Sequence, residues 1–164
     1  MSAAPVIRAV DPLGADALAL LAQAAAEARA LYPELFTPDS PPATNTPLGE
    51  GDVYLVAFVD GDVPVASGAL RRLDATTTEV RRMFVLAHAR RRGLARATLA
   101  ALEEAARGLG VDTLLLETGH RQQPAIALYE SAGFTRIAPF GPYGGDPTSV
   151  CFAKHLHRAA DQAG

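Results

Sequence analysis

The run Arg90-Arg91-Arg92-Gly93 sets three guanidinium groups and a glycine between an apolar strand pattern, Val80-Arg81-Arg82-Met83-Phe84-Val85-Leu86, and a helical pattern from Leu94 to Leu109. A turn that enters a helix collects free backbone N–H groups, and the aligned peptide dipoles behind them favour a bound anion. Gly93 allows special dihedrals and lets a phosphate approach with no Cβ in the way, while the small Ala95 keeps the next turn open. The spacing R-x-x-G-x-A, from Arg90 to Ala95 with Leu94 and Arg96 beside it, suits a pyrophosphate. A basic turn before a helix is by itself most often a solvated cap. G-x-G-x-x-G and G-x-x-x-x-G-K-[ST] are both absent, which argues against dinucleotide-fold and nucleoside-triphosphate sites.

The surrounding pattern sets out the elements that must hold this turn. Val6–Val10 reads as a short strand, and Asp11-Pro12 offers an N-cap and first position for a helix running to about Ala30. Leu18, Leu21, Ala25 and Ala28 recur at helical spacing and form the face expected to pack on a sheet. Tyr32-Pro33 ends that helix, and residues 33–51, with Pro38, Pro41, Pro42 and Pro47, form a loop with at most a short helical turn. A loop that long inside a small domain is more often functional or mobile than filler. Val53–Val59 and Val63–Leu70 flank Asp60-Gly61-Asp62, a hairpin signal, and Thr76–Leu86 follows, which predicts an antiparallel meander. Past the Leu94–Leu109 helix come a strand, Thr113–Glu117, and a second helix from about Pro124. With 164 residues, no repeat and no break in composition, residues 1–164 read as one domain with its core over about 5–157.

The order of strand, R-x-x-G-x-A turn, helix, strand and then A-I-x-L-Y-E-x-x-G-F, at Ala125–Phe134, resembles the GNAT superfamily of acyl-CoA-dependent N-acetyltransferases. The resemblance covers roughly residues 53–156. It implies an α/β fold whose mixed, mostly antiparallel central sheet is flanked by helices and splayed between its fourth and fifth strands, with acetyl-CoA as co-substrate in the opening. Arg90 to Arg96 then holds the pyrophosphate. Met83, Phe84 and Val85 lie along the pantetheine arm, with the main chain of Met83 and Val85 bonding it as though it were an added strand. Gln122 stands where the family usually has an asparagine that contacts pantetheine, and the proline-rich loop lies beside the acceptor pocket.

Acetyl transfer to an amine needs a proton taken from an ammonium, charge stabilised on a carbonyl oxygen, and a proton given to a thiolate. Tyr129 matches the tyrosine that serves as general acid in many GNAT enzymes and also lies at the co-substrate; the alternative is a packed aromatic. Glu79 shares one strand face with Arg81, Met83 and Val85, and matches a glutamate that is the general base in part of the superfamily. Its alternative is a surface carboxylate paired with Arg71, Arg72 or Arg81. Glu117 is the competing base, on the strand across the opening, or else a carboxylate that holds backbone N–H groups. The sequence reading prefers Glu79.

Other chemistries fit less well. The net charge of −3 disfavours general affinity for nucleic acid or anionic membrane. No apolar run approaches about 18 residues and no signal-peptide pattern opens the chain, so a cytoplasmic protein is expected. The single cysteine, Cys151, reads as a small buried hydrophobe. His88, His120, His155 and His157 are scattered without zinc-like spacing, and no metal site is expected. No serine sits in G-x-S-x-G. The reading is therefore an acetyl-CoA-dependent N-acetyltransferase acting by direct transfer on a primary amine of a small acceptor, such as an amino acid or polyamine, with a homodimer left open. A non-catalytic acyl-CoA sensor or partner module, and an enzyme acting on a protein amine, are the alternatives.

Overall fold

The computed structural model describes residues 4–156. The chain runs β1 (Val6–Ala9), α1 (Ala15–Leu31), β2 (Val53–Val59), β3 (Val63–Arg72), β4 (Thr77–Val85), α2 (Leu94–Gly108), β5 (Thr113–Gly119), α3 (Gln123–Ser131), β6 (Thr135–Ile137) and β7 (Ser149–His155). The strands form a single sheet in the order β1-β2-β3-β4-β5-β7-β6. Every neighbouring pair is antiparallel except β4 with β5, which α2 connects as a crossover. Asp60 and Gly61 both take positive φ, 50° and 90°, as the predicted tight hairpin between β2 and β3 requires.

Side-chain alternation divides the core between the two sheet faces. Leu55 joins Leu70, Val80, Leu114, Leu116 and Phe152 under α2, whereas Tyr54 and Val56 join Ala17, Leu20 and Phe58 under α1. Cys151 is buried in β7, and burial pushes its thiol above the ordinary range. Among the described residues no helix is long and apolar enough to cross a membrane.

Two details differ from the sequence expectation. Asp11 and Pro12 precede α1 instead of starting it: the Asp11 carboxylate accepts the Leu13 N–H at 2.9 Å and its carbonyl accepts the Gly14 N–H, closing a turn that leaves Gly14 as the cap. The buried stripe of α1 is Ala17, Leu20 and Leu21, and Leu18 is 41% exposed. In a helix this rich in alanine, nearly every face reads as apolar, so spacing alone does not select one.

The opening in the sheet has a local cause. Ser67 pairs with Phe84 but Ala69 pairs with Arg81, so Arg82 and Met83 together oppose the single residue Gly68. Arg82 carries the bulge in a left-handed conformation with φ 59°. Gly68 has room for no side chain, because a Cβ there would come within 2.8 Å of both Leu102 Cδ1 and Met83 Sδ. Beyond the bulge β4 follows β3, while β5 stays paired with β7 from Thr113 to Gly119. β4 and β5 therefore pair only from Thr77 opposite Thr113 to Val80 opposite Leu116. Past Val80 they part.

Candidate active site

The parting strands open into a cavity of about 920 Å³, walled also by α1, α3, the start of α2 and part of the proline-rich loop. Along β4 the Leu86 N–H bonds Val65 of β3 at 2.9 Å. Alternation then turns the main-chain groups of Val85 and Met83 away from β3, towards the opening. The Val85 carbonyl accepts Arg90 Nε at 3.0 Å. Phe84 packs with the α1 cluster and lines the cavity there.

At the far end of β4 the basic turn enters α2. Arg91 and Gly93 both adopt positive φ, 65° and 75°, and Gly93 is the N-cap. The first helical bond runs from Ala97 N–H to the Gly93 carbonyl at 3.0 Å, which leaves the amides of Leu94, Ala95 and Arg96 without helical acceptors. A Cβ at Gly93 would meet nothing within 4 Å, so the cradle is open. The arginines divide in role. Arg90 donates through the single nitrogen Nη2 to both carboxylate oxygens of Glu27 of α1, at 2.8 and 2.6 Å, and with its Nε on the Val85 carbonyl straps α1 to β4. Arg96 donates to Ser131 of α3 at 2.7 Å. Arg91 lies on the cavity wall, and neither Arg91 nor Arg92 is ion-paired among the described residues.

Glu117 lies on β5 just past the point of parting, on the cavity wall. It accepts a hydrogen bond from Ser149 Oγ at 2.9 Å. Burial raises its carboxyl above the ordinary range against that hydrogen bond, and the charges of Asp146 and Glu79 raise it further. Glu79, on β4, is only 6% exposed and accepts the Tyr143 hydroxyl at 2.7 Å. Tyr129 packs against the rings of Phe134 and Phe152, while its hydroxyl has no hydrogen-bond partner among the described residues. Burial, and then the charge of Glu117, push that phenol above its ordinary value. Gln122 is the N-cap of α3 and bonds the Gly119 carbonyl through its main-chain N–H. A side chain at Gly119 would strike the Tyr32 hydroxyl, which itself accepts the Arg121 N–H at 2.8 Å.

The cavity wall thus gathers Met83, Phe84, Val85, Arg90, Arg91, Gly93, Leu94, Ala95, Arg96, Glu117, Gln122 and Tyr129 from the sequence-derived set. Glu79, bonded to Tyr143, and Arg92 are not part of that wall. Sequence reasoning passed over Tyr143, Ser149 and Asn45. Tyr143 lies in Gly141-Pro142-Tyr143-Gly144-Gly145, where glycines and a proline around an aromatic mark a shaped loop. Asn45 had no signal beyond its place in a long loop. Among the described residues no group of three His, Cys, Asp or Glu side chains could hold a metal, and His157 lies outside them.

Residues 19–134 match the model of the acetyltransferase (GNAT) family. The chain belongs to that family. Within it, 104 residues are 44% identical to an IAA acetyltransferase of Azospirillum brasilense, covering 63% of this chain and 67% of that one. Another 99-residue match is 40% identical to the uncharacterized N-acetyltransferase YsnE of Bacillus subtilis, covering 59% of this chain and 66% of that one. The chain therefore aligns with about two thirds of the length of these relatives. Among solved GNAT structures, an acyl-CoA N-acyltransferase, so assigned provisionally, from Klebsiella pneumoniae superposes with a TM-score of 0.76 at 31% identity, covering 93% of this chain and 98% of the other. A GNAT acetyltransferase of Elizabethkingia anophelis with acetyl-CoA bound shares the fold, with a TM-score of 0.64 at 16% identity over 93% of this chain and 98% of that one. The GNAT fold and the acetyl-CoA-dependent N-acetyltransferase class inferred from the two motifs are those of the family.

Proposed function

We propose that this GNAT protein transfers an acetyl group from acetyl-CoA directly to a primary amine of a small acceptor. The observation that carries the reading is the unpaired main-chain edge of β4, which leads into the open Gly93 cradle on one side and faces Glu117 and Tyr129 on the other. An extended pantetheine arm bonds the main chain of Met83 and Val85 as an added strand. The free amides at the start of α2, with Arg91, hold the pyrophosphate. Gln122 and Leu94 to Arg96 complete that wall.

A polarised carbonyl needs a donor at its oxygen, and an N–H of the open β4 edge supplies it. The acceptor ammonium gives its proton, directly or through one water, to the carboxylate pair Glu117 and Glu79. Glu117 takes first place in that role because it stands on the wall and binds protons more readily than an ordinary carboxylate. Glu79 is the second carboxylate, held by Tyr143. The amine nitrogen attacks the thioester carbon, the carbon–sulfur bond breaks, the Tyr129 hydroxyl protonates the leaving thiolate, and the second proton that the nitrogen loses as it becomes an amide restores the hydroxyl.

Purified protein titrated with acetyl-CoA in a calorimeter, then supplied with a library of amines while free thiol is followed, tests the reading. Saturable binding with amine-dependent thiol release supports it. Binding without turnover of any amine points instead to an acyl-CoA sensor, and absence of binding overturns it.

A further inference from the structure

Several cations among the described residues stand beside carboxylates. Arg8 pairs with Asp62, Arg90 with Glu27, Arg121 with Glu34, and Lys154 with Glu103. Arg81 and Arg82 do not. Both are partly buried and both line the cavity. Consecutive side chains of a regular strand point to opposite faces, and the left-handed bulge at Arg82 brings these two into one wall. Arg82 is fixed by neutral acceptors alone, Asn45 Oδ1 at 3.0 Å and the Thr44 carbonyl at 2.9 Å. Arg81 has neither a hydrogen bond nor an ion pair among the described residues, although it shares its strand face with Glu79, two residues away. The charge of Arg81 acts on Glu117 across the opening, but a guanidinium drawn partly out of water with no direct acceptor keeps donors that a bound anion can satisfy.

The other half of the pattern is the pair Glu79 and Glu117. Two carboxylates suit an ammonium, and two guanidiniums near them that make no direct ion pair leave donors for an anion a short distance away. A polyamine would meet Arg81 and Arg82 as like charges, which costs affinity. Resting on the acetyltransferase reading above, we infer that the acceptor is an aminocarboxylate, an amino acid whose amine faces Glu117 and whose carboxylate is held by Arg81, with Arg82 adding charge behind it. Arg is the side chain suited to grip a carboxylate through two parallel N–H donors. Amine and carboxylate belong to one small molecule, because Arg81 and Glu117 directly follow the last paired positions, Val80 and Leu116, of neighbouring strands, which lie about 5 Å apart where they pair.

The test compares matched acceptors on the wild-type enzyme and on Arg81→Gln. Each amino acid is paired with the amine lacking its carboxylate and with the corresponding aminoalkylphosphonate, and kcat and KM are measured by thiol release. At least one amino acid should exceed its decarboxylated partner in kcat/KM by about 100-fold, as expected for loss of a charge-assisted pair. Arg81→Gln should raise KM for the amino acid by about 10- to 100-fold and leave its partner amine within about twofold, with Arg81→Lys in between. A residue that only balanced Glu79 and Glu117 would lower both acceptors equally, and that result overturns the inference. So does a preference for polyamines, for decarboxylated amines or for phosphonates, or acetyl-CoA binding without turnover of any amino acid. The wild-type comparison stands even if Arg81→Gln does not fold. Turnover of amines lacking a carboxylate leaves the transferase reading intact, whereas failure to bind acetyl-CoA removes both.

Discussion

Tyr143 and Glu79, 64 positions apart, meet in a hydrogen bond of 2.7 Å in which the phenol donates to the carboxylate oxygen Oε2. The contact ties the loop between β6 and β7 to the strand that opens the sheet. It supplies the donor a buried carboxylate needs.

Tyr143→Phe keeps the ring, and with it the edge-on contact to Phe140 at 5.2 Å between centroids, but leaves Oε2 of Glu79 without its partner. An unsatisfied buried acceptor costs about 1–3 kcal/mol. Urea denaturation should show a lower midpoint with an unchanged slope. An unchanged midpoint would mean that water replaces the hydroxyl and that the contact is not a structural tie.

Tyr129→Phe removes the only proposed proton donor to the thiolate. If that role is correct, kcat falls by about 10²-fold while acetyl-CoA affinity stays within about threefold. Stopped turnover with intact binding separates this from a packing defect. Wild-type turnover would reduce Tyr129 to a core aromatic.

Glu117 gives a pH signature whose sign follows from its raised proton affinity. Its carboxyl ionises above the ordinary carboxylate range in the folded protein, so the folded state binds more protons than the unfolded chain in the window above about pH 4.3, and stability falls as pH rises through it. Glu117→Gln removes that cost. The variant should have a higher Tm than the wild type at pH 7, with the difference vanishing near pH 3, and should lose kcat/KM most at neutral pH. Activity should return partly at high pH, where free amine is abundant, and Glu79→Gln should show a smaller loss. The reverse order of the two variants would transfer the base role to Glu79.

Gly93→Val tests the anion cradle. A side chain there clashes with no protein atom, but φ of 75° is unfavourable for a β-branched residue, and the branch would project into the open space before α2. Acetyl-CoA affinity should fall by more than about tenfold in calorimetry. Arg91→Ala should cost less, and the loss should shrink as salt rises. Unchanged affinity in folded Gly93→Val would remove this turn from the site.

The meander, the crossover helix and the two motifs were legible because each rests on local chemistry. Asp60-Gly61 sets a hairpin, alternation marks β2 to β4, and Gly93 follows the arginines at a helix start. What was not legible depends on partners distant in sequence. Arg90 lies on the cavity wall, but its ion pair with Glu27, in α1, is a contact 63 positions away that the R-x-x-G-x-A spacing does not announce. Glu79 was preferred over Glu117 by strand alternation, which carries no sign of Tyr143 and Ser149, the distant partners that hold the two carboxylates. The bulge at Arg82 depends on Gly68 facing Leu102, a tertiary contact that no pattern in β4 announces.

An open sheet ordinarily presents two lateral edges, and unpaired edges are templates on which foreign chains stack and aggregate. The parting past Val80 gives this sheet two more, but sets them indoors, behind α1, α3 and the proline-rich loop. Another polypeptide would have to thread the cavity to reach them. The fold can thus keep a permanently sticky strand border next to its chemistry while remaining protected from self-association there, since only a slender, flexible molecule can be the missing strand.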